Sequence, residues 1–325
     1  SSTKEASVFT SYWLTPNCSI VIFLSPIWKK TPFPFYLCRM ENANDLSELL
    51  NLEKIEENIF RGESHFMGSP RVFGGQILAQ TIRAAQLTVP DDRRIHSMHG
   101  YFILPGDLTK PIIFMVDRIR DGRSFTTRRV VAIQNGKAIF NMAASFQIKE
   151  EGYNHQITMP NVPSPDSLLS SRELVEKYKE HLPAGIRAFL SQPRPIEFRP
   201  VAPEKTFGHI NSEPSRSVWM KANGVISDDN NLHRMLLAYA SDYNLLSTAL
   251  QPHRSQINNL VMASLDHAMW FHREFRMDEW LLYSLDSPSA SNSRGFTRGS
   301  IYNQKGILVA SVVQEGLMRI KRKEK

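Results

Sequence analysis

The apolar positions of this chain follow two rhythms, and the places where one gives way to the other predict its elements. Gln76-Ile77-Leu78-Ala79-Gln80-Thr81-Ile82 is a helix-like apolar stretch. Further on, Phe125 to Gln134 and Lys137 to Ile148 have strand character and flank Asn135-Gly136, the strongest short hairpin signal. A second block repeats the plan. Met235 to Leu250 reads as one helix, apolar on nearly every face and therefore buried. Trp280 to Ser284, Gly295 to Tyr302 and Ile307 to Arg319 follow it as strands. Between the blocks, residues 160–203 hold eight of the nineteen prolines, which predicts a linker with one short helix around Ser171–Glu180.

The blocks align under one shift of 167 positions, which carries Ser97 to Ser264, Ala143 to Ala310, Gln147 to Gln314 and Gly75 to Asp242. Arg128 falls beside Arg294. A single offset through helix and strands is the signature of a duplicated unit. The predicted class is α+β, two tandem units in which an antiparallel sheet curls round a helix. The expected divisions are an N-terminal unit over 40–150, a Pro-rich linker over 151–215 and a C-terminal unit over 216–325. Residues 1–39 share none of this pattern. Their apolar patch Ile20–Leu24 is followed, not preceded, by Lys29-Lys30, so a secretory signal is not expected. They read as a disordered leader, or as sequence upstream of a start at Met40.

Composition narrows the chemistry. The 325 residues carry a formal charge of +7 and a pI near 9.4, but the basic residues are scattered. That favours small anionic partners over nucleic acid. No apolar run approaches the ~20 residues of a membrane span. The two cysteines, Cys18 and Cys38, both precede Met40, so a thiol nucleophile or thiolate metal site is excluded from the body of the chain. The signatures of serine hydrolase elbows, dinucleotide folds, phosphate loops and helical zinc sites are missing, and no cofactor is expected. His267 and His272 stand five apart beside Asp266, a step that fits neither a helix face nor a strand face, so no metal site is expected.

Three polar residues remain in apolar surroundings: Asp242, Ser264 and Gln314. A buried carboxylate is costly without partners, and a hydroxyl and an amide are suitable ones. The trio could hold a water whose proton Asp242 accepts, or it could be a hydrogen-bonded network with no chemistry. The duplication favours the first reading, because the aligned unit has Gly75 where the carboxylate stands. Gly74-Gly75-Gln76 opens a helix, and free N–H groups there would suit a developing oxyanion.

The strings Leu52-Glu53-Lys54-Ile55-Glu56-Glu57, Phe73-Gly74-Gly75-Gln76, His96-Ser97-Met98-His99-Gly100-Tyr101-Phe102 and Ile133-Gln134-Asn135-Gly136-Lys137 resemble the acyl-CoA thioesterase II family. So do Tyr239-Ala240-Ser241-Asp242, Leu265-Asp266-His267-Ala268-Met269-Trp270-Phe271-His272, Ser293-Arg294-Gly295-Phe296 and Val313-Gln314-Glu315-Gly316. The resemblance spans roughly residues 50–320 and keeps family order and spacing. It implies a double hotdog fold, further association into homo-oligomers, and hydrolysis of acyl-CoA to fatty acid and CoA. The catalytic set it implies is Asp242, Ser264 and Gln314. Bacterial members tend to have Thr at the middle place, and Ser264 keeps the hydroxyl. His96 matches a family histidine near the site, and Arg294, Arg298 and Arg128 are candidates for the CoA phosphates. A hotdog enoyl-thioester hydratase would want Asn-Pro after Gly106-Asp107, where Leu108 follows instead. A non-catalytic acyl-CoA binder would have no use for the carboxylate. The chain ends Lys323-Glu324-Lys325 and not in a Ser-Lys-Leu signal, so a cytoplasmic location is expected. A chain beginning at Met40 should keep the full-length melting temperature and turnover; loss of soluble protein on that truncation would contradict the division at residue 40.

Overall fold

Asn42 opens the first helix, α1 (Ala43–Leu49), through a reciprocal cap: its side chain accepts the Asp45 N–H at 3.1 Å and Asp45 accepts the Asn42 N–H at 3.1 Å. In this computed structural model the described residues are 41–320, except 68, 181–186, 188–190, 192–193, 205–211 and 257–259. The segment 1–39 and its cysteines lie outside them. After β1 (Glu53–Glu56) and β2 (Ile59–Gly62) comes α2 (Gly74–Gln86), buried along nearly all its length. Four strands follow: β3 (Arg94–Phe102), β4 (Ile112–Asp121), β5 (Phe125–Gln134) and β6 (Lys137–Gln147). Asn135 and Gly136 both adopt left-handed backbone, at φ 51° and 70°, so the expected two-residue hairpin joins β5 to β6.

The proline-rich stretch is less irregular than expected. It holds the predicted short helix, α3 (Ser171–Lys177), with a capping box from Ser170 to Glu173, and also an edge strand, β7 (Ile196–Pro200). Strand β7 ends on Pro200 at the margin of the sheet, where a missing N–H costs little. The second unit comprises β8 (Ser215–Ala222), α4 (Asn230–Ser241), α5 (Leu245–Ala249), β9 (Leu260–Ser264), β10 (Asp266–Phe271), β11 (Leu281–Ser291), β12 (Arg294–Asn303) and β13 (Leu308–Ile320).

The single helix expected over Met235–Leu250 is in fact two, α4 and α5. Asn244 takes φ 70°, a left-handed conformation that asparagine tolerates, and this breaks the helix just after Asp242. A break there frees Asp242 to serve as the C-cap of α4 instead of lying inside a continuous helix.

Every described ladder is antiparallel, and the strands join into one curved sheet in the order β1-β2-β4-β5-β6-β3-β10-β13-β12-β11-β8-β7, with β9 also on β13. The units meet at β3 and β10, where Ser97 faces Trp270 and Tyr101 faces Asp266. The sheet wraps the helices, and Leu78 and Ile82 of α2 share a buried core with Phe114, Ala132, Phe140 and Phe146. Each leucine, isoleucine and phenylalanine among them contributes about 1.5–3 kcal/mol by leaving water. Among the described residues, no helix is long and apolar enough to cross a membrane.

The duplication is real, but its register is not a shift of 167. The ladder of β5 and β6 steps between Ala132 and Ile133, and that of β12 and β13 steps between Ile301 and Tyr302, which places residue 132 on 301. Arg128 faces Ala144 as Thr297 faces Gln314. Gln314 therefore corresponds to Ala144, not to Gln147; two residues on, Ile95 faces Phe146 as Ser264 faces Gly316, so Ser264 corresponds to Ile95, not to Ser97. The helices follow a different shift again, since α2 begins after Phe73 and α4 after Asp229. Loop lengths differ between the units, so a single offset cannot carry all elements.

Candidate active site

Helices α2 and α4 pack side by side, and the N-terminus of α2 meets the C-terminus of α4. Gly75 touches the Tyr239 carbonyl so closely that any Cβ there would collide with it. A Cβ on Gly74 would lie 2.6 Å from Asp242 Oδ2. The glycine pair thus leaves the space that the carboxylate fills. The Gly75 N–H, expected to be free for an oxyanion, hydrogen-bonds to Asp242.

Two further groups converge on that carboxylate. Gln314, on β13, donates from Nε2 to Oδ1 at 2.9 Å, and Ser264, at the end of β9, bonds it through its hydroxyl. Burial raises the Asp242 pKa, and the bonds from Gln314, Gly75 and Ser264 pull it back in part. The three sequence candidates therefore come together, from a helix end and two neighbouring strands. They open on a pocket of about 320 Å³ whose wall is largely apolar, with Met67, Phe73, Tyr243, Leu246 and Met262. Phe73 packs on Tyr243 with ring centroids 4.6 Å apart.

Behind the pocket lies His267, fully buried on β10. Its Nε2 is 3.0 Å from Ser241 Oγ and its Nδ1 is 3.4 Å from Gln314 Nε2. Burial lowers its pKa to about 3, so the ring is neutral at ordinary pH. In the sequence this histidine stands within the Leu265–His272 string and beside His272, at a spacing that fits no metal site, and nothing there points to Ser241 or Gln314. Among the described residues there is no cluster of acidic, His and Cys side chains able to hold a metal.

The chain matches the acyl-CoA thioesterase family profile over residues 189–317 and the acyl-CoA thioesterase N-terminal domain over 63–147. It is 40% identical over 284 residues to human acyl-coenzyme A thioesterase 8, covering 85% of this chain and 89% of that one. Acyl-CoA thioesterase 2 of Haemophilus influenzae is 40% identical over 278 residues, covering 85% and 97%. The chain belongs to the acyl-CoA thioesterase II family. It is accordingly an enzyme, a thioesterase. The crystal structure of acyl-CoA thioesterase II TesB2 from Mycobacterium marinum superposes with a TM-score of 0.71 at 40% identity, over 85% of this chain and 98% of that one. A hot dog fold protein from Alicyclobacillus acidocaldarius, 16% identical, gives a TM-score of 0.66 over 85% and 98%. The architecture is the double hotdog.

The other residues singled out in the sequence are placed elsewhere. His96 bonds Ser145 Oγ at 2.8 Å, stands edge-on to Phe125, and is not in the pocket wall. Gln76 faces away from Asp242: it accepts the His65 N–H at 3.1 Å and donates to the Glu63 carbonyl at 3.1 Å, anchoring the segment that leads to Met67. Arg294 pairs with Glu315 at 2.8 Å and Arg298 with Asp286, both at the surface. Strand alternation explains Arg294, since it pairs with the residue next to Gln314, whose side chain points to the opposite face. Arg128 is fully buried, bonded to Thr88 Oγ1 at 2.9 Å, to the Thr88 carbonyl at 2.9 Å and to Asp121 at 2.6 Å. It occupies the position of Thr297, so the first unit fills with an arginine the place that adjoins Gln314 in the second.

A raised carboxylate pKa is also a statement about stability. The contribution of Asp242 is fully present below the unfolded value near ~3.9 and is lost as pH rises through the higher folded value. Replacing Asp242 by the isosteric Asn removes that loss. The melting temperature of Asp242→Asn relative to wild type should therefore climb as pH rises above about 4 and then level off. A difference that is flat or declining over that range would show the carboxylate to be unstrained.

Proposed function

We propose that this thioesterase hydrolyses acyl-CoA to a fatty acid and CoA by direct attack of a water held at Asp242, Ser264 and Gln314. The observation that carries the proposal is the convergence of these three side chains, with the Gly75 N–H, on one apolar pocket. The acyl chain rests against Met67, Phe73, Tyr243, Leu246 and Met262, and the thioester carbon sits above the carboxylate. The water oxygen bonds to that carbon while its proton passes to Asp242. The tetrahedral intermediate collapses, the C–S bond breaks, and the proton on Asp242 goes to the departing CoA sulfur. Atoms and charge balance without a cofactor.

Negative charge moves during the first step from Asp242 to the thioester oxygen. Both places face the N-terminus of α2, whose dipole and N–H groups favour an anion. As Asp242 takes the proton, its hold on the Gly75 N–H weakens, and that donor becomes available to the oxyanion. A raised carboxylate pKa helps the base role, because proton affinity closer to neutrality gives a better proton acceptor.

Asp242→Asn keeps the size and hydrogen-bonding capacity of the side chain but cannot take a proton. Release of CoA from a panel of acyl-CoA substrates, followed with a thiol reagent, should fall by ~10²- to 10⁴-fold. The wild-type rate should also decline on acidification at a pH above the ordinary aspartate value of ~3.9. An Asp242→Asn rate within threefold of wild type would refute the water-activation role.

A further inference from the structure

Resting on that reading of the site, we propose that His267 is a positioning residue that fixes the orientation of the Gln314 amide, making Gln314 an acceptor for the attacking water and not a donor to the thioester oxygen. The two ends of a glutamine amide have nearly the same shape, so its orientation is set by what surrounds it. Here the surroundings leave one choice.

The orientation is set first by Ser241, the last residue of α4. Its hydroxyl has a single proton and gives it to the Ala238 carbonyl at 2.8 Å. Towards His267 Nε2, 3.0 Å away, it can then only accept. Nε2 therefore carries the ring proton, and Nδ1 of the neutral ring is a bare acceptor. Gln314 stands between that lone pair, 3.4 Å from its Nε2, and Asp242 Oδ1, 2.9 Å from it. Both neighbours are acceptors, and the two N–H bonds of the amide satisfy them together. Turned over, the amide would press its oxygen against a carboxylate and a lone pair at once.

The consequence falls on Gln314 Oε1, which is buried and has no hydrogen-bond partner. A buried acceptor left without a donor costs free energy until something supplies one. Water has two protons. One goes to Asp242 as the bond to carbon forms, and the other is held by Oε1, which fixes the rotation of the nucleophile about its remaining axis. His267 exerts this effect through its tautomer, and the tautomer is set by Ser241, which the chain places directly before the proposed base. Tyr283 steadies the same turn by donating its hydroxyl to the Ser241 carbonyl at 3.0 Å.

Side-chain substitutions separate this role from packing. His267→Asn sets an amide oxygen where Nδ1 stood and keeps the acceptor for Gln314 while giving up Ser241. His267→Gln reaches Ser241 and gives up Gln314. Both shorten or reshape a buried ring and should lower the melting temperature alike. We expect kcat to fall about 100-fold in His267→Gln and less than fivefold in His267→Asn, with KM unchanged in both, as for a misplaced nucleophile. Equal kcat losses in the two variants, or a His267→Gln rate within threefold of wild type, would overturn the proposal. Should either variant fail to fold, ring ¹⁵N–¹H correlation spectra of the wild-type enzyme decide it. A protonated Nε2 and a bare Nδ1 on His267 support the assignment, and the opposite tautomer refutes it. Asp242→Asn is the control: full activity there brings down the water-activation reading itself, whereas an inactive Asp242→Asn beside a fully active His267→Gln brings down only the role of His267.

Discussion

The contact on which this enzyme depends is the close approach of two helix ends, the N-terminus of α2 at Gly74-Gly75 and the C-terminus of α4 at Asp242. The helices come together only because Gly75 has no side chain to meet the Tyr239 carbonyl, and the carboxylate fits only because Gly74 has none to meet it. Packing, backbone hydrogen bonding and the charge of the site are settled by that one crossing. The two units of the double hotdog each supply one of these helix ends, so neither unit alone contains the site.

The duplicated units have diverged at this place. The first unit's counterpart of Gln314 is Ala144, that of Ser264 is Ile95, and that of Thr297 is Arg128. Arg128 is locked into the wall by Thr88 and Asp121. Where the second unit has Thr297 beside Gln314, the first has a charged side chain with its whole guanidinium engaged. The arginine is buried and bonded to the chain on several sides while its partner Asp121 is half exposed, so it acts as a structural element of the first unit.

Much of this was legible in the sequence. The hairpin at Asn135-Gly136 announced itself because only left-handed residues make that turn, and the burial of the second helix followed from apolar residues on all its faces. Asp242, Ser264 and Gln314 stood out as polar residues in apolar strings, and the structure brings all three together. What was not legible depends on tertiary geometry. The break at Asn244 divides a stretch whose hydrophobic pattern is unbroken on either side, and asparagine enters the left-handed region without a pattern that betrays it. The shift of 167 matched like residues across the blocks, but bulges and unequal loops moved the strands to a different register, and identity of type at Gln147 and Gln314 was coincidence. His267 gave a misleading signal. Its partners Ser241 and Gln314 lie on other elements, and no spacing along the chain reveals them. Nor could the sequence show that the Gly75 N–H is already bonded to the carboxylate it faces.

The central claim is that water attacks the thioester directly while Asp242 takes its proton. A single turnover in H₂¹⁸O, with enzyme in excess over acyl-CoA, tests it most directly. The account predicts that the released fatty acid carries one ¹⁸O and that the peptide containing Asp242 carries none. Unlabelled fatty acid together with ¹⁸O in the Asp242 carboxylate would mean that this side chain had itself attacked the thioester, and would contradict the account.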